Sequence, residues 1–333
     1  GLWFEPEMTN KDSDLYRAHP DWILHTPGRN ASHGRYQYVL DFSRKEVVEY
    51  IYEMMAKILS EAKVSYIKWD MNRSITECYS VALPADRQGE VFHRYILGVY
   101  DLYERLTSEF PEVLFESCSS GGGRFDPGML YYAPQGWTSD DSDAIERLKI
   151  QYGTSLCYPI SSMGSHVSVI PNHQVFRKTP LHTRANVAYF GTFGYELDLN
   201  SLKEEEIAEV KEQIIFMKKY RKLFQFGDFY RLKSPFEGNE TIWMVVSEDK
   251  KTAIVGYYRT LNGVNQAYSR IKLQGLDPDM LYENILNKTE NYGDELMNFG
   301  LITTDVTAGE VPGDATPCTD FESRIYILKA KEK

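Results

Sequence analysis

Apolar residues recur at helical spacing in several stretches, with short extended runs between them. Val47, Val48, Ile51, Met54, Met55, Ile58 and Leu59 predict an amphipathic helix over 44–62. The Ser43-Arg44-Lys45-Glu46 spacing predicts a capping box at its start. Val91, Tyr95, Leu102 and Leu106 predict a helix over 88–109, closed by Pro111. Leu202, Ile207, Val210, Ile214 and Met217 predict another over 201–222, its Glu204-Glu205-Glu206 run lying in a solvent-facing first turn. Shorter helices are expected over 143–153 and 181–190. Between them, residues 36–42, 64–70, 113–117, 136–139 and 192–197 read as extended. Strands alternating with helices predict βα units and a parallel sheet. Beyond Phe224 the pattern turns to short β-rich runs, 241–246, 252–258 and 323–328, separated by turn residues. These predict an antiparallel β domain with a boundary near residue 223.

Composition narrows the partners. The 333 residues carry 37 Lys+Arg against 48 Asp+Glu, a net charge of -11, which argues against nucleic acid and anionic membranes. No apolar run approaches the ~18 residues of a membrane span. No leader-like segment is seen, and Cys78, Cys118, Cys157 and Cys318 are too widely spaced for a disulfide framework or a zinc site. A cytoplasmic setting is the expectation. The Asn-x-Ser/Thr sequons at Asn30, Asn72, Asn239 and Asn287 are read as chance.

Chemistry is expected where strands end, because a βα barrel builds its active site at the C-terminal ends of its strands. Asp70 ends the run Tyr66-Ile67-Lys68-Trp69, and Asp140 ends Gly136-Trp137-Thr138-Ser139. At roughly 35 residues per βα unit, their separation places them on alternate strands. Two carboxylates across a small site suit glycoside hydrolysis, one ionised for attack and one protonated for the leaving oxygen. Lys68 shares a strand face with Asp70, which favours its charged form, whereas Asp141 and Asp143 favour a protonated Asp140. Asp140 or Asp143 could equally cap the following helix. The Ser-Gly-rich 117–123 stretch lacks the ending of a phosphate loop and reads as a tight turn giving a ligand access to the backbone. Cys118 as a thiol nucleophile with His166 or His173 has no supporting motif, and the 140–143 acids lack the loop of an EF-hand.

Four ordered motifs carry a resemblance. Trp3-Phe4-Glu5-Pro6-Glu7-Met8, Tyr66-Ile67-Lys68-Trp69-Asp70-Met71-Asn72-Arg73, Glu116-Ser117-Cys118 with Gly121-Gly122-Gly123-Arg124-Phe125-Asp126, and Trp137-Thr138-Ser139-Asp140 with Asp143-Ala144-Ile145 resemble the microbial α-galactosidases of glycoside hydrolase family 36. His19-Pro20-Asp21-Trp22 and 147–153 extend the likeness over nearly the whole chain. The resemblance implies a retaining hydrolase that removes terminal α-galactosyl residues from raffinose- and melibiose-type oligosaccharides without metal or organic cofactor. It implies Asp70 as nucleophile and Asp140 as acid/base, with Trp3, Arg35, Lys68, Asn72, Cys118, Gly121 and Trp137 binding the sugar. The fold it implies is a (β/α)8-type TIM barrel over 1–222, entered at about its third strand and so lacking its first two βα units. A C-terminal antiparallel β-sandwich over 223–333 would follow. The chain would then be the C-terminal portion of a longer enzyme that can form a homo-oligomer, and inactive or poorly folded alone. The alternatives are a galactosyl transferase of raffinose-synthase type and an inactive fragment with residual carbohydrate binding.

Overall fold

A computed structural model describes residues 1–264, 270–303 and 320–331. Cys318 lies outside the described residues. Two compact units are distinguished, Gly1–Asp140 and Asp141–Lys333.

The first unit contains β1 (Leu2–Phe4), β2 (Met8–Asn10), α1 (Asp14–Ala18), β3 (Gln37–Val39), α2 (Lys45–Glu61), β4 (Tyr66–Asp70), α3 (Val91–Glu109), β5 (Leu114–Cys118), α4 (Pro127–Tyr132) and β6 (Gln135–Trp137). Strands β1, β4, β5 and β6 pair in that order, all parallel. β2 and β3 form a separate antiparallel pair. Side chains alternate across the parallel sheet. Ile67 and Trp69 point into a core built with α2 and α3, where the indole of Trp69 stacks on Tyr103 at 4.0 Å. Lys68 and Asp70 therefore share the other face.

α2 buries Val47, Val48, Ile51, Met55 and Leu59, an i, i+4 ridge, while Met54 and Ile58 lie one step round the helix and are exposed. The expected capping box does not form. The Ser43 hydroxyl donates to Asp41, Glu46 accepts from Arg44 Nε at 2.8 Å, and Arg44 is the N-cap without a side-chain bond. A nearby carboxylate and guanidinium outcompete the weaker hydroxyl-to-backbone contact.

The second unit begins with α5 (Ala144–Ser155), β7 (Met163–Ser168), α6 (Leu181–Ala188), β8 (Thr192–Glu196) and α7 (Glu204–Phe226). β7 and β8 are parallel. In the acidic first turn of α7, Glu204 and Glu205 are exposed and Glu206 is partly buried. The helix runs on to Phe226, because Tyr220 and Phe224 continue its buried stripe.

An antiparallel sheet follows, with β9 (Asp228–Lys233), β10 (Glu240–Val246), β11 (Thr252–Arg259), β12 (Arg270–Ile271), β13 (Leu281–Asn284), β14 (Glu290–Tyr292), α8 (Gly293–Asn298), β15 (Leu301–Ile302) and β16 (Glu322–Ala330). Its six-stranded order is β14-β13-β16-β11-β10-β9, and β12 pairs with β15. Met244, Val255, Tyr326 and Leu328 lie in its core. The short helix α8 has no counterpart in the expected all-β pattern. Among the described residues no helix is long and apolar enough to cross a membrane.

Candidate active site

The sheet of the first unit presents one row of polar side chains. Parallel register pairs Trp3 with Lys68, Lys68 with Glu116, Asp70 with Cys118, and Glu116 with Gln135. Period-two alternation then carries Lys68, Asp70, Glu116, Cys118, Gln135 and Trp137 onto one face.

Asp70, the last residue of β4, is only 6% exposed. Its two carboxylate oxygens differ. Oδ2 accepts from Trp3 Nε1 at 3.2 Å and from Asn72 Nδ2 at 2.6 Å. Oδ1 is buried and makes no hydrogen bond among the described residues. Asn72 is itself fixed, donating to Glu5 Oε1 at 2.8 Å while its Oδ1 accepts from Ser120 at 3.2 Å. Glu5 also accepts from Arg35 Nη1 at 3.2 Å and Gln37 Nε2 at 2.9 Å, so Arg35 joins the cluster through Glu5.

Lys68 was expected to lean on Asp70. Its ammonium instead lies 3.5 Å from Glu116 Oε1 on the neighbouring strand and 4.7 Å from the centre of the Trp137 ring. Asp140 is exposed, and its Oδ1 accepts from Trp137 Nε1 at 3.1 Å. Asp143 is the N-cap of α5, accepting from the amides of Ile145 and Glu146, and it forms an ion pair with Arg177. That settles which of the two acids caps the helix.

The Ser-Gly stretch is a tight turn, as expected, with Ser120 and Gly121 both at positive φ (+47° and +83°). A Cβ at Gly121 would come within 2.7 Å of Ser139 Cα and 2.9 Å of the Asp140 amide nitrogen. Glycine is therefore required twice here, for its conformation and for the close approach that seats the Asp140 loop. Burial pushes the Cys118 thiol up to about 12, and the charge of Asp70 adds to the shift. So raised, the Cys118 thiol stays neutral near pH 7, and a thiolate mechanism is unsupported.

Behind this face lies a second cluster. Glu7, fully buried, accepts two bonds from Arg124 (2.7 and 2.9 Å), one from Trp69 Nε1 (2.7 Å) and one from Tyr95 (2.5 Å). Burial alone raises the Glu7 carboxyl, but the charge of Arg124 and these donors outweigh it and hold the group below the usual carboxylate range. Glu5, Glu7, Glu116 and Arg124 were not among the expected site residues. Glu5 directly follows the apolar run Leu2-Trp3-Phe4 of β1, a strand-end signal that could have found it. Glu7 and Glu116 stand inside motifs as acids without that signal, and Glu7 meets Arg124 across 117 positions. Among the described residues no group of His, Cys, Asp or Glu is arranged to hold a metal ion.

Residues 1–227 match the family model described as Melibiase. The chain belongs to the melibiase family. Residues 240–328 match the C-terminal domain of glycosyl hydrolase family 36. The chain is 57% identical over 335 residues to the α-galactosidase AgaA of Geobacillus stearothermophilus, covering all of this chain and 44% of the relative. It is 49% identical to the α-galactosidase Mel36A of Lactobacillus acidophilus, covering 99% of the chain and 43% of the relative. A crystal structure of an AgaA variant with raffinose superposes with a TM-score of 0.94 at 52% identity, over 99% of this chain and 44% of that one. The α-galactosidase of Lactobacillus brevis superposes with a TM-score of 0.95 at 51% identity, over 100% and 44%. The chain thus spans less than half the length of these relatives. Another AgaA variant has been crystallised with stachyose.

Proposed function

We propose that this chain carries the catalytic centre of a retaining α-galactosidase acting on terminal α-galactosyl residues of raffinose- and melibiose-type oligosaccharides. The observation that carries the reading is the divided carboxylate of Asp70. One oxygen is held by Trp3 and Asn72, and the other is buried and unbonded among the described residues, as an attacking atom requires. Asp140 is exposed and so open to the leaving group and to water. Two AgaA complexes, with raffinose and with stachyose, each have an aspartate replaced, and those two aspartates stand 70 positions apart, as Asp70 and Asp140 do here.

In the first step Asp70 Oδ1 forms a bond to the anomeric carbon while the glycosidic C–O bond breaks and Asp140 gives its proton to the departing oxygen. In the second step Asp140 takes a proton from water, the hydroxyl attacks the anomeric carbon, and the ester to Asp70 breaks, releasing galactose with its α configuration. Lys68 and Asn72 would bind sugar hydroxyls, with Trp3, Arg35, Cys118, Gly121 and Trp137 shaping the pocket. The finer architecture we propose is a partial (β/α)8 barrel over 1–222 and a β-sandwich over 223–333. It is supported by the parallel strand pairs, the antiparallel sheet and the likeness to the AgaA and Lactobacillus brevis structures.

Asp140→Ala tests the assignment. Loss of the acid should cost natural raffinose about 10²–10⁴-fold in the galactosylation rate and a nitrophenyl α-galactoside, whose leaving group needs no proton, much less. Equal losses for both substrates in pre-steady-state kinetics would remove Asp140 from the role.

A further inference from the structure

Glu116 lies outside the mechanism just described, yet it is one of the most enclosed acids in the first unit, 3% exposed. It sits on β5 in register with Lys68 and on the same face. Its Oε2 accepts from the Tyr66 hydroxyl and, at 3.4 Å, from Gln135 Nε2, which also donates to the Tyr66 oxygen at 3.2 Å. Burial first, and the charge of Glu116 second, raise the Tyr66 phenol, so it remains a donor to the carboxylate. Glu116 Oε1 is buried, makes no hydrogen bond among the described residues, and has the Lys68 ammonium 3.5 Å away. The same ammonium lies 4.7 Å from the centre of the Trp137 ring.

A lysine ammonium carries three donors on a flexible four-carbon stem. A buried carboxylate and an aromatic face together remove most of that freedom. The donors turned away from Glu116 are then fixed in direction before any ligand arrives, which lowers the ordering cost of binding. We propose that Glu116 is a positioning residue that aims the Lys68 ammonium at the hydroxyls of the sugar, and that Tyr66 and Gln135 hold Glu116 in place to do so. This rests on the α-galactosidase reading above. Because the contact exists before the bond to the anomeric carbon changes, it contributes equally to substrate and transition state. Its loss should therefore raise KM and leave kcat nearly unchanged.

The test compares Glu116→Gln, Glu116→Asp and Tyr66→Phe with the parent in nitrophenyl α-galactoside hydrolysis and thermal melting, together with a crystal structure of Glu116→Gln. Glu116→Gln should raise KM about tenfold, the loss of one charge-assisted contact, with kcat within about twofold. Glu116→Asp, which keeps the charge, should recover part of the KM. Tyr66→Phe should lower the melting temperature with a smaller KM change, since the Lys68 contact survives. In the crystal structure Lys68 should leave its place over Trp137. An unchanged KM with Lys68 unmoved overturns the proposal, as does a fall in kcat alone. Should the parent chain alone fail to hydrolyse the galactoside, as is expected of a chain that spans 44% of its relative, activity in isolation falls and the α-galactosidase reading is left to its own tests. The position of Lys68 in the Glu116→Gln crystal then decides the positioning role by itself, displacement upholding it and an unmoved side chain overturning it.

Discussion

Replacing Asp70 by Asn should lower turnover of a nitrophenyl α-galactoside by roughly 10⁴-fold or more while leaving the fold intact. The amide is isosteric with the carboxylate. Its oxygen can still accept from Trp3 Nε1 and Asn72 Nδ2, and its NH2 group would take the place of Oδ1, which makes no hydrogen bond among the described residues. What disappears is the negative charge and the lone pair that form the bond to the anomeric carbon. The prediction is therefore specific to chemistry: melting temperature and galactose affinity stay near those of the parent, and kcat collapses. Near-normal turnover by a folded Asp70→Asn protein would exclude Asp70 as nucleophile.

The second large effect is on stability. Arg124→Ala should destabilise the protein by about 3–5 kcal/mol, because it leaves the fully enclosed Glu7 carboxylate without its ionic partner. The pH dependence distinguishes this from simple loss of packing. In the parent the folded-state pKa of Glu7 lies below its ordinary value of 4.5. Glu7 therefore contributes stability above about pH 4.5, and that contribution is lost as pH falls through the lowered folded value. Without Arg124, burial dominates and the folded pKa rises above the unfolded one, so the deficit should shrink as the solution is acidified toward pH 4.5. Denaturant unfolding of both proteins across that range reads the two slopes directly. Parallel slopes would mean that Arg124 acts by volume alone. Glu7→Gln combined with Arg124→Met should recover part of the loss, since two neutral groups need no charge compensation.

Much of this site was legible in the sequence. Asp70 and Asp140 stood out because each closes a short run read as a strand, and strand ends are where a βα sheet presents chemistry; β4 does end at Asp70, whereas β6 ends at Trp137 and Asp140 lies in the loop after it. The Ser-Gly run at 117–123 read as a tight turn that fitted no phosphate loop, Gly121 was named only through the resemblance, and the structure supplies its reason in the approach to Ser139 and Asp140. Helices α2, α3 and α7 followed from periodicity. What stayed hidden depends on register and on long-range pairing. Nothing in the composition around Lys68 says whether it turns to Asp70 two residues on or to Glu116 on the next strand. Only the pairing of β4 with β5 decides it. Glu7 and Arg124 meet across 117 positions, and either could have been a solvated charge. The Ser43 capping box failed for a local reason: Asp41 and Arg44, each two residues from the group it binds, offered stronger partners than a helix amide. Local rules identify which residues can do chemistry; the fold decides which of them touch.

The most direct test of the central claim is to incubate the protein with a slow-turnover fluorinated α-galactosyl donor bearing a good leaving group, digest it, and locate the added galactosyl mass. A covalent ester on Asp70, within the β4 segment Tyr66–Asp70, is the predicted result. A label on any other residue, or turnover of the donor with no adduct and inverted galactose as the first product, would contradict it.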